Sequence, residues 1–437
     1  MNLNMDLLTH SLSEINAGLD GSSVRVAGWV HEVRDVGKLV FIVLREREGL
    51  AQVTVKKSDS PELAKLAEAL VKETSVYCEG VVKKNPGVSA FGCEIVPSKI
   101  EVLGKVVKQV PFEITGKVPV DLDVRLEKRS VDLRRLETQA VFRVRSEMQR
   151  AFREKAFELG FQEINTPTIL ESASEGGTDV FEVKYFERKA FLAQSPQLYK
   201  QLAVLGGMTK VFMTVPVFRA EKHNTTVHLN ESTQMDFEAG FIDDVQGISL
   251  LEEVFLHILN SVKKNCSSQL KVLGSDFAVP KEIPRFTYTE ILEALEKKGF
   301  VVGWGQDIPK EAEAQLEKIL GVEAFFTTRW PTLSRAFYSM PLPENPKICK
   351  SYDLVFKGLE IASGAQRIHD PDLLVEQLKA RNLKPADFEW YVDAFRYGAI
   401  PHAGWSIGAE RLCMKLANRS NIREAALFPR DRTRLTP

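Results

Sequence analysis

The chain has only five cysteines in 437 residues, Cys78, Cys93, Cys266, Cys349 and Cys413, and no two form a CxxC pair. That excludes a zinc ribbon and offers no disulfide framework, so a reducing, cytoplasmic setting is the default expectation. No apolar run approaches the roughly 18 residues of a membrane-spanning helix, so no membrane partner is expected. Residues 1–10 lack a charged start followed by a long apolar run, so no signal peptide is expected either. Net charge is nearly missing. With 58 Lys and Arg against 59 Asp and Glu, the formal charge is −1, which speaks against holding nucleic acid by bulk charge but leaves room for a local basic face. There is no GxxxxGK[ST] loop, and no GxGxxG follows a strand. A nucleotide bound here would have its phosphates held by arginine and metal. No Ser/His/Asp or Cys/His arrangement suggests a covalent enzyme intermediate. What is present is ordinary for a globular protein, 44% hydrophobic and 27% charged, with enough chain for two or three domains.

The first hundred residues read as five short strands: Val24–Val26, Phe41–Leu44, Ala51–Val55, Val76–Val82 and Lys99–Leu103. Turn-prone pieces such as Asn85-Pro86-Gly87 separate them, and a helix-like insert, Pro61–Lys72, follows the third. That order suggests an OB-type barrel over residues 1–104, with an SH3-like barrel or a plain sandwich as the alternatives. Residues 105–135 show no sustained apolar period and read as a linker. Apolar positions Val141, Val144, Met148, Phe152 and Phe157 then predict an amphipathic helix from Gln139 to Leu159, stopped by Gly160. Phe161–Pro167 reads as an extended strand ended by proline. Beyond it, strands and helices mix without a regular βαβ rhythm, which favours an α+β domain over 136–437 built on an antiparallel sheet flanked by helices. Residues 280–345 carry helices but no polar motif and read as a small insertion.

Three segments carry chemistry. In Val217-Phe218-Arg219-Ala220-Glu221, strand alternation puts Arg219 and Glu221 on one face. The arginine could fork onto phosphate and the glutamate could accept from an amino group; a surface ion pair is the plainer reading. Asp353 and Glu360 are seven apart, but the turn-like Lys357-Gly358 would let two strands present both carboxylates together, as hard oxygen ligands for a divalent cation. Two separate surface acids are the plainer reading. In Gln194–Lys200, Lys200 could supply a positive charge for a carboxylate, joined by Arg367; the plainer reading is a solvated helix start.

Together these segments resemble the active site of class II aminoacyl-tRNA synthetases, and within them the aspartyl-tRNA synthetases of archaeal and eukaryotic type. Phe218-Arg219-Ala220-Glu221 with its His-, Asn- and Thr-rich loop resembles motif 2, Gly404–Arg411 resembles motif 3, and Phe161–Pro167 resembles motif 1. The class I signatures HIGH and KMSKS are absent. The resemblance implies ATP as substrate, held by Arg219, Glu221, His228, Glu360 and Arg411, with Arg219 and Arg411 catalytic. It implies Mg²⁺ on Asp353, Glu360 and Ser363. It implies L-aspartate held by Glu175, Gln197, Lys200, Asp236, Ser363 and Arg367, under a mobile loop Ser174–Asp179, and a homodimer paired through motif 1. His223 and His402 are further candidates for nucleotide contacts, while His10 and His257 read as ordinary histidines. The barrel resembles the anticodon-binding domain, with His31, Arg34, Phe41, Gln52, Pro86 and Glu94 as tRNA contacts.

The chain departs from the pattern in places. Val227 stands where an arginine is usual, Ser232 where an aromatic is usual, and Ala365 where a second glycine is usual. His31, and the lack of lysine after Pro86, resemble enzymes that charge both tRNA(Asp) and tRNA(Asn). Two rival functions are a synthetase-like paralogue that amidates aspartate and a non-catalytic tRNA-binding protein. The barrel speaks against the first; Arg219, Glu360 and Arg411 speak against the second.

Overall fold

The computed structural model describes residues 8–47, 49–88, 91–171 and 179–437. The chain divides into two compact units, Met1–Gln139 and Ala140–Pro437.

The first unit is built on β1 (Ser23–Val36), β2 (Leu39–Glu46), β3 (Gly49–Lys56), α1 (Pro61–Glu68), β4 (Ser75–Lys84) and β5 (Cys93–Gly104). The strands close into a barrel in the order β1-β2-β3-β5-β4. Alternation along β1 turns Val24, Val26 and Val30 inward, where they meet Val40, Ile42, Val53 and Ile95. Polar side chains therefore point outward at the intervening positions. Proline at the first helical position starts α1, which ends earlier than the expected Lys72. The stretch expected to be linker holds two short helices, α2 (Leu122–Glu127) and α3 (Arg129–Asp132). They are tied by buried charge: Arg129 and Arg125 both donate to Asp132, at 2.6 and 2.7 Å. An apolar-period reading does not detect a core made of ion pairs.

The second unit holds most of α4 (Leu136–Glu158), which begins three residues before the expected start. Val141, Val144, Met148 and Phe152 are buried as expected, but Phe157 is 57% exposed. There follow β6 (Gln162–Glu163), β7 (Ile169–Leu170), β8 (Glu182–Tyr185), β9 (Arg188–Leu192), α5 (Gln197–Ala203), β10 (Lys210–Phe218) and β11 (Glu231–Gly240). Then come α6 (Asp244–Asn265), α7 (Ser267–Leu273), β12 (Arg285–Thr287), α8 (Tyr288–Glu296), α9 (Lys310–Leu320), β13 (Ala324–Thr328), β14 (Pro341–Leu342) and β15 (Asn345–Cys349). The unit closes with β16 (Ser351–Phe356), β17 (Leu359–Gln366), α10 (Pro371–Ala380), α11 (Glu389–Phe395), β18 (His402–Gly408) and α12 (Ala409–Leu416).

Eight strands form the central sheet in the order β12-β13-β16-β17-β18-β11-β10-β6. Its inner pairs are antiparallel, but the outermost pairs, β12–β13 and β10–β6, are parallel. The sheet is therefore antiparallel through its six inner strands, as expected, and mixed only at its two edges. α4, α6 and α12 pack onto it around Phe152, Phe255, Phe237 and Trp405. The Phe237 and Trp405 rings stack at 4.4 Å across paired strands and lock β11 to β18. α6 starts on a reciprocal cap between Asp243 and Gln246. Residues 280–345, expected as an insertion, contribute β12 and β13 to the sheet edge and cover it with α8 and α9. The expected strand Phe161–Pro167 pairs only at Gln162–Glu163.

Candidate active site

The open face of the sheet carries the polar positions of β10, β11, β17 and β18. On β11, Gln234, Asp236 and Glu238 alternate with the buried Met235 and Phe237, so the three polar side chains share one face. Two cavities lie there. One is lined by Arg219, Glu221, His228, Ser232, Glu360 and Arg411, among others. The second is lined by Ser195, Gln197, Asp236, Arg335, Arg367 and others, and shares Arg219, Gln234, Ser363 and Ser406 with the first. The two are thus adjoining compartments, with Arg219 at their common wall.

The loop after β10 is held from outside. Arg423 donates to Thr225 O at 3.0 Å and also contacts Asn224, Arg432 donates to Lys222 O, and Ile422 N–H donates to Thr226 O. Val227 packs on the main core, and its carbonyl accepts from Arg411 Nε at 3.4 Å. The position where arginine was expected is thus used for apolar packing.

Asp353 and Glu360 converge as the turn predicted. Lys357 and Gly358 both have positive φ, 48° and 66°, as a two-residue hairpin loop requires. Asp353 sits opposite Ser363, and Val355 opposite Glu360. Asp353 Oδ1 is buried with no hydrogen-bond partner among the described residues. Burial pushes this carboxyl up to about 6, although Arg335 opposes the rise. The carboxylates of Asp353 and Glu360 and the Ser363 hydroxyl, with Asp353 Oδ1 left unpartnered, make an all-oxygen donor set that fits a hard divalent cation. Arg335 is the neighbour that was missed: it contacts Asp353 Oδ2 and stacks over Trp330 at 4.1 Å. It comes from the stretch read as an insertion, as does Glu313, whose Oε1 accepts Glu360 N–H at 3.1 Å.

Lys200 and Arg367 do not stand free as the sequence suggested. Lys200 is fully buried, and its ammonium donates to Asp236 Oδ1 at 2.8 Å, Phe237 O at 3.2 Å and Trp405 O at 3.3 Å. Those bonds use all three of its donors. Arg367 forks onto Glu238 at 2.9 and 3.1 Å and reaches Gln197 Oε1 at 3.1 Å. Its Nη1 has no partner among the described residues, and it lines the second cavity. Glu238 joins the two cations, lying 3.4 Å from Lys200 Nζ. Burial alone would raise its carboxyl, but Arg367 and Lys200 outweigh burial and hold it below its ordinary value. Glu238 escaped the motif reading, although its place two residues beyond Asp236 on one strand was a usable signal. Gly404 lies against it: a Cβ there would meet Glu238 Oε2 and Phe237 O.

His402 is buried away from both cavities, with Nδ1 donating to Ile400 O and Nε2 facing Gln201. It supports the core rather than a nucleotide. His223 lies 3.1 Å from Glu221, and its ring is 5.2 Å from that of His228. Glu175 and most of the loop Ser174–Asp179 lie outside the described residues.

In the barrel, Arg34 pairs in register with Phe41 and sits over its ring at 5.9 Å. Gln52 and Thr54 both donate to Glu94, and Asn85, beside Pro86, donates to Glu94 at 2.9 Å. Thr54 is opposite Phe41, so these residues form one patch. His31 belongs to another network: its Nδ1 meets Arg45 at 3.0 Å, and Arg45 forks onto the buried Glu73.

The family profile "tRNA synthetases class II (D, K and N)" matches residues 121–432, and an "OB-fold nucleic acid binding domain" profile matches 24–103. Aspartate–tRNA(Asp) ligase of Pyrococcus abyssi is 46% identical over 99% of this chain and 100% of its own length. Aspartate–tRNA(Asp/Asn) ligase of Methanocaldococcus jannaschii is 45% identical over 98% of each. Among solved structures, asparaginyl-tRNA synthetase from Pyrococcus horikoshii with asparaginyl-adenylate superposes with TM-score 0.92 at 32% identity, over 97% of this chain and 98% of that one. Aspartyl-tRNA synthetase from Entamoeba histolytica gives TM-score 0.89 at 30% identity, over 99% and 94%. The adjoining arginine-lined compartments on a mixed sheet, the N-terminal barrel and these full-length likenesses lead to one assignment: the chain belongs to the class II tRNA synthetases of the D, K and N group.

Proposed function

We propose that the chain activates L-aspartate with ATP and transfers the aspartyl group to the 3′ end of tRNA(Asp) and of tRNA(Asn). The observation that carries the amino-acid choice is the charge of the second cavity. Three arginines, Arg219, Arg335 and Arg367, line it with one carboxylate, Asp236. Arg335 and Arg367 already pair with Asp353 and Glu238, which leaves Arg219 and the Nη1 of Arg367 to receive the two carboxylates of aspartate. Asparagine would offer a neutral amide in place of one of them. In this reading Arg367 takes the side-chain carboxylate, and Gln197, Asp236 and Glu175 face the ammonium. Lys200 acts from behind by holding Asp236.

The α-carboxylate of aspartate is already ionised and needs no general base. Arg219, on the wall between the compartments, is suited to hold the α-phosphate while the carboxylate attacks in line. Arg411 neutralises charge on the departing diphosphate, and Glu221 and His228 contact the nucleotide. Asp353, Glu360 and Ser363 would hold Mg²⁺, which when bound neutralises phosphate charge. The barrel patch around Arg34, Phe41, Gln52, Pro86 and Glu94 stacks and pairs with anticodon bases, and His31 relaxes the choice between the two tRNAs. In terms of domains, residues 1–104 read the anticodon, 105–135 connect and 136–437 catalyse. We further propose a cytoplasmic homodimer paired near β6, a reading supported by the position of that strand at the sheet edge.

The test is ATP–pyrophosphate exchange without tRNA, with aspartate and asparagine in parallel. Exchange with aspartate alone is expected; exchange with asparagine alone would overturn the amino-acid assignment. Charging of both tRNAs with aspartate is the expected second result, and no aspartate on tRNA(Asn) would remove that part of the proposal.

A further inference from the structure

Three carboxylates, Glu221, Glu360 and Glu410, line the nucleotide cleft, yet Lys310 and Arg411 are held there chiefly by a neutral ring and by backbone carbonyls. His228 lines the cleft and is approached at both ring nitrogens. Arg411 Nη2 lies 3.1 Å from Nε2, while Lys310 Nζ and Thr225 Oγ1 lie 3.2 and 2.7 Å from Nδ1. Burial, then Arg411 and Lys310, push this imidazole down to about 3, so the ring is neutral. A neutral imidazole has one lone-pair nitrogen and one N–H. Whichever tautomer is present, one of the two cations therefore faces an N–H. Neither Lys310 nor Arg219 makes an ion pair with a described carboxylate, and Arg411 has only a 3.8 Å contact with Glu360 Oε1. Val227 adds no charge to the loop. The missing partner of this group is an anion.

We infer that Lys310, the first residue of α9, is a phosphate-binding residue of the nucleotide cleft and grips, with Arg411, the terminal phosphates of ATP. The identity of the anion rests on the proposed function; the place of the contact comes from geometry. Arg219 lines both cavities, whereas His228 and Arg411 line only the nucleotide cavity. In-line displacement puts the leaving diphosphate opposite the attacking carboxylate, hence on the His228–Arg411 side. The ammonium of Lys310 is within reach of that side, on a flexible four-carbon stem from an exposed backbone position. A second positive group there takes up charge as the diphosphate leaves, in a loop where residue 227 is apolar.

The experiment compares ATP and AMP binding by calorimetry to the full chain and to Lys310→Met and Lys310→Arg. ATP-dependent exchange kinetics are measured alongside. Lys310→Met is expected to weaken ATP about tenfold, as for one charge-assisted hydrogen bond, and AMP less than about twofold. Its KM for ATP rises while its KM for aspartate stays, and Lys310→Arg recovers most of the ATP affinity. A merely structural lysine would shift AMP and ATP alike and lower the melting temperature. Unchanged ATP affinity in Lys310→Met, or equal loss for both nucleotides, overturns the inference while leaving the proposed function standing. Wild-type protein that neither binds ATP nor supports exchange overturns both.

Discussion

Replacing Glu238 by glutamine keeps its volume and removes one negative charge from the centre of the site. The carboxylate accepts from Arg367 at 2.9 and 3.1 Å and lies 3.4 Å from Lys200 Nζ, with all three side chains at most 4% exposed. After the change, Lys200 keeps Asp236, and Arg367 has no ion-pair partner among the described residues. Removing one partner of a buried pair costs about 3–5 kcal/mol, because the other charge is left without compensation. In a large domain about 1 kcal/mol moves the melting temperature by roughly 2 °C, so a fall of about 6–10 °C at pH 7.5 is expected. The pH dependence has a defined sign. A carboxyl held below its ordinary value contributes stability that is present above its unfolded pKa of 4.5, and that is lost as pH falls through the lower folded value. The gap between wild type and Glu238→Gln should therefore be full at pH 7 and close on acidification below pH 4.5. The same change loosens Arg367, so KM for aspartate should rise more than KM for ATP. Calorimetric melting and exchange kinetics on one preparation measure both effects. A melting temperature within about 1 °C of wild type, with KM for aspartate unaltered, would refute the reasoning that this pair organises the site.

Arg219→Ala should lower kcat in exchange by about 10²–10³-fold, as for loss of one preorganised transition-state donor, with the melting temperature little changed; wild-type kcat in that variant would remove Arg219 from the mechanism. Phe41→Ala should leave tRNA-independent exchange untouched while raising KM for tRNA, in line with the roughly 1–3 kcal/mol of a base–aromatic stack, and an unchanged tRNA KM would return Phe41 to a packing role. Glu313 is pushed up to about 7 by burial, with Glu360 adding to the rise, so its ionised form costs stability as pH climbs through 7. Glu313→Gln should therefore melt higher than wild type at pH 8.5, by up to about 3 kcal/mol of stability, with the advantage gone at about pH 4. An advantage of unchanged size at about pH 4 would contradict this origin.

Most of what the sequence made legible was local. β-branched runs between turns announced the barrel, since alternation is set by neighbouring residues. Arg219 and Glu221 could be placed on one face by strand period alone. The hairpin at Lys357-Gly358 could be inferred because the two-residue turn and the carboxylates it joins lie within eight residues of each other. Glu238 was within reach by the same period of two but lay outside every motif.

Other features depended on contacts between distant segments. Lys200 reads as an available cation until β11 brings Asp236 and Glu238 against it across 36 and 38 positions of chain. Arg335, Glu313 and Lys310 come from a stretch without polar motifs, and only the packing of β13 and α9 onto the sheet edge carries them to the site. Val227 looked like a lost functional arginine; the fold uses it as a core contact. The order of strands and helices follows from short-range periodicity and spacing, and could be read from the residues alone. Which charges are neutralised and which stay open to a substrate is set by the fold, because pairing energy depends on distances across the chain and on burial, and neither is written in local order.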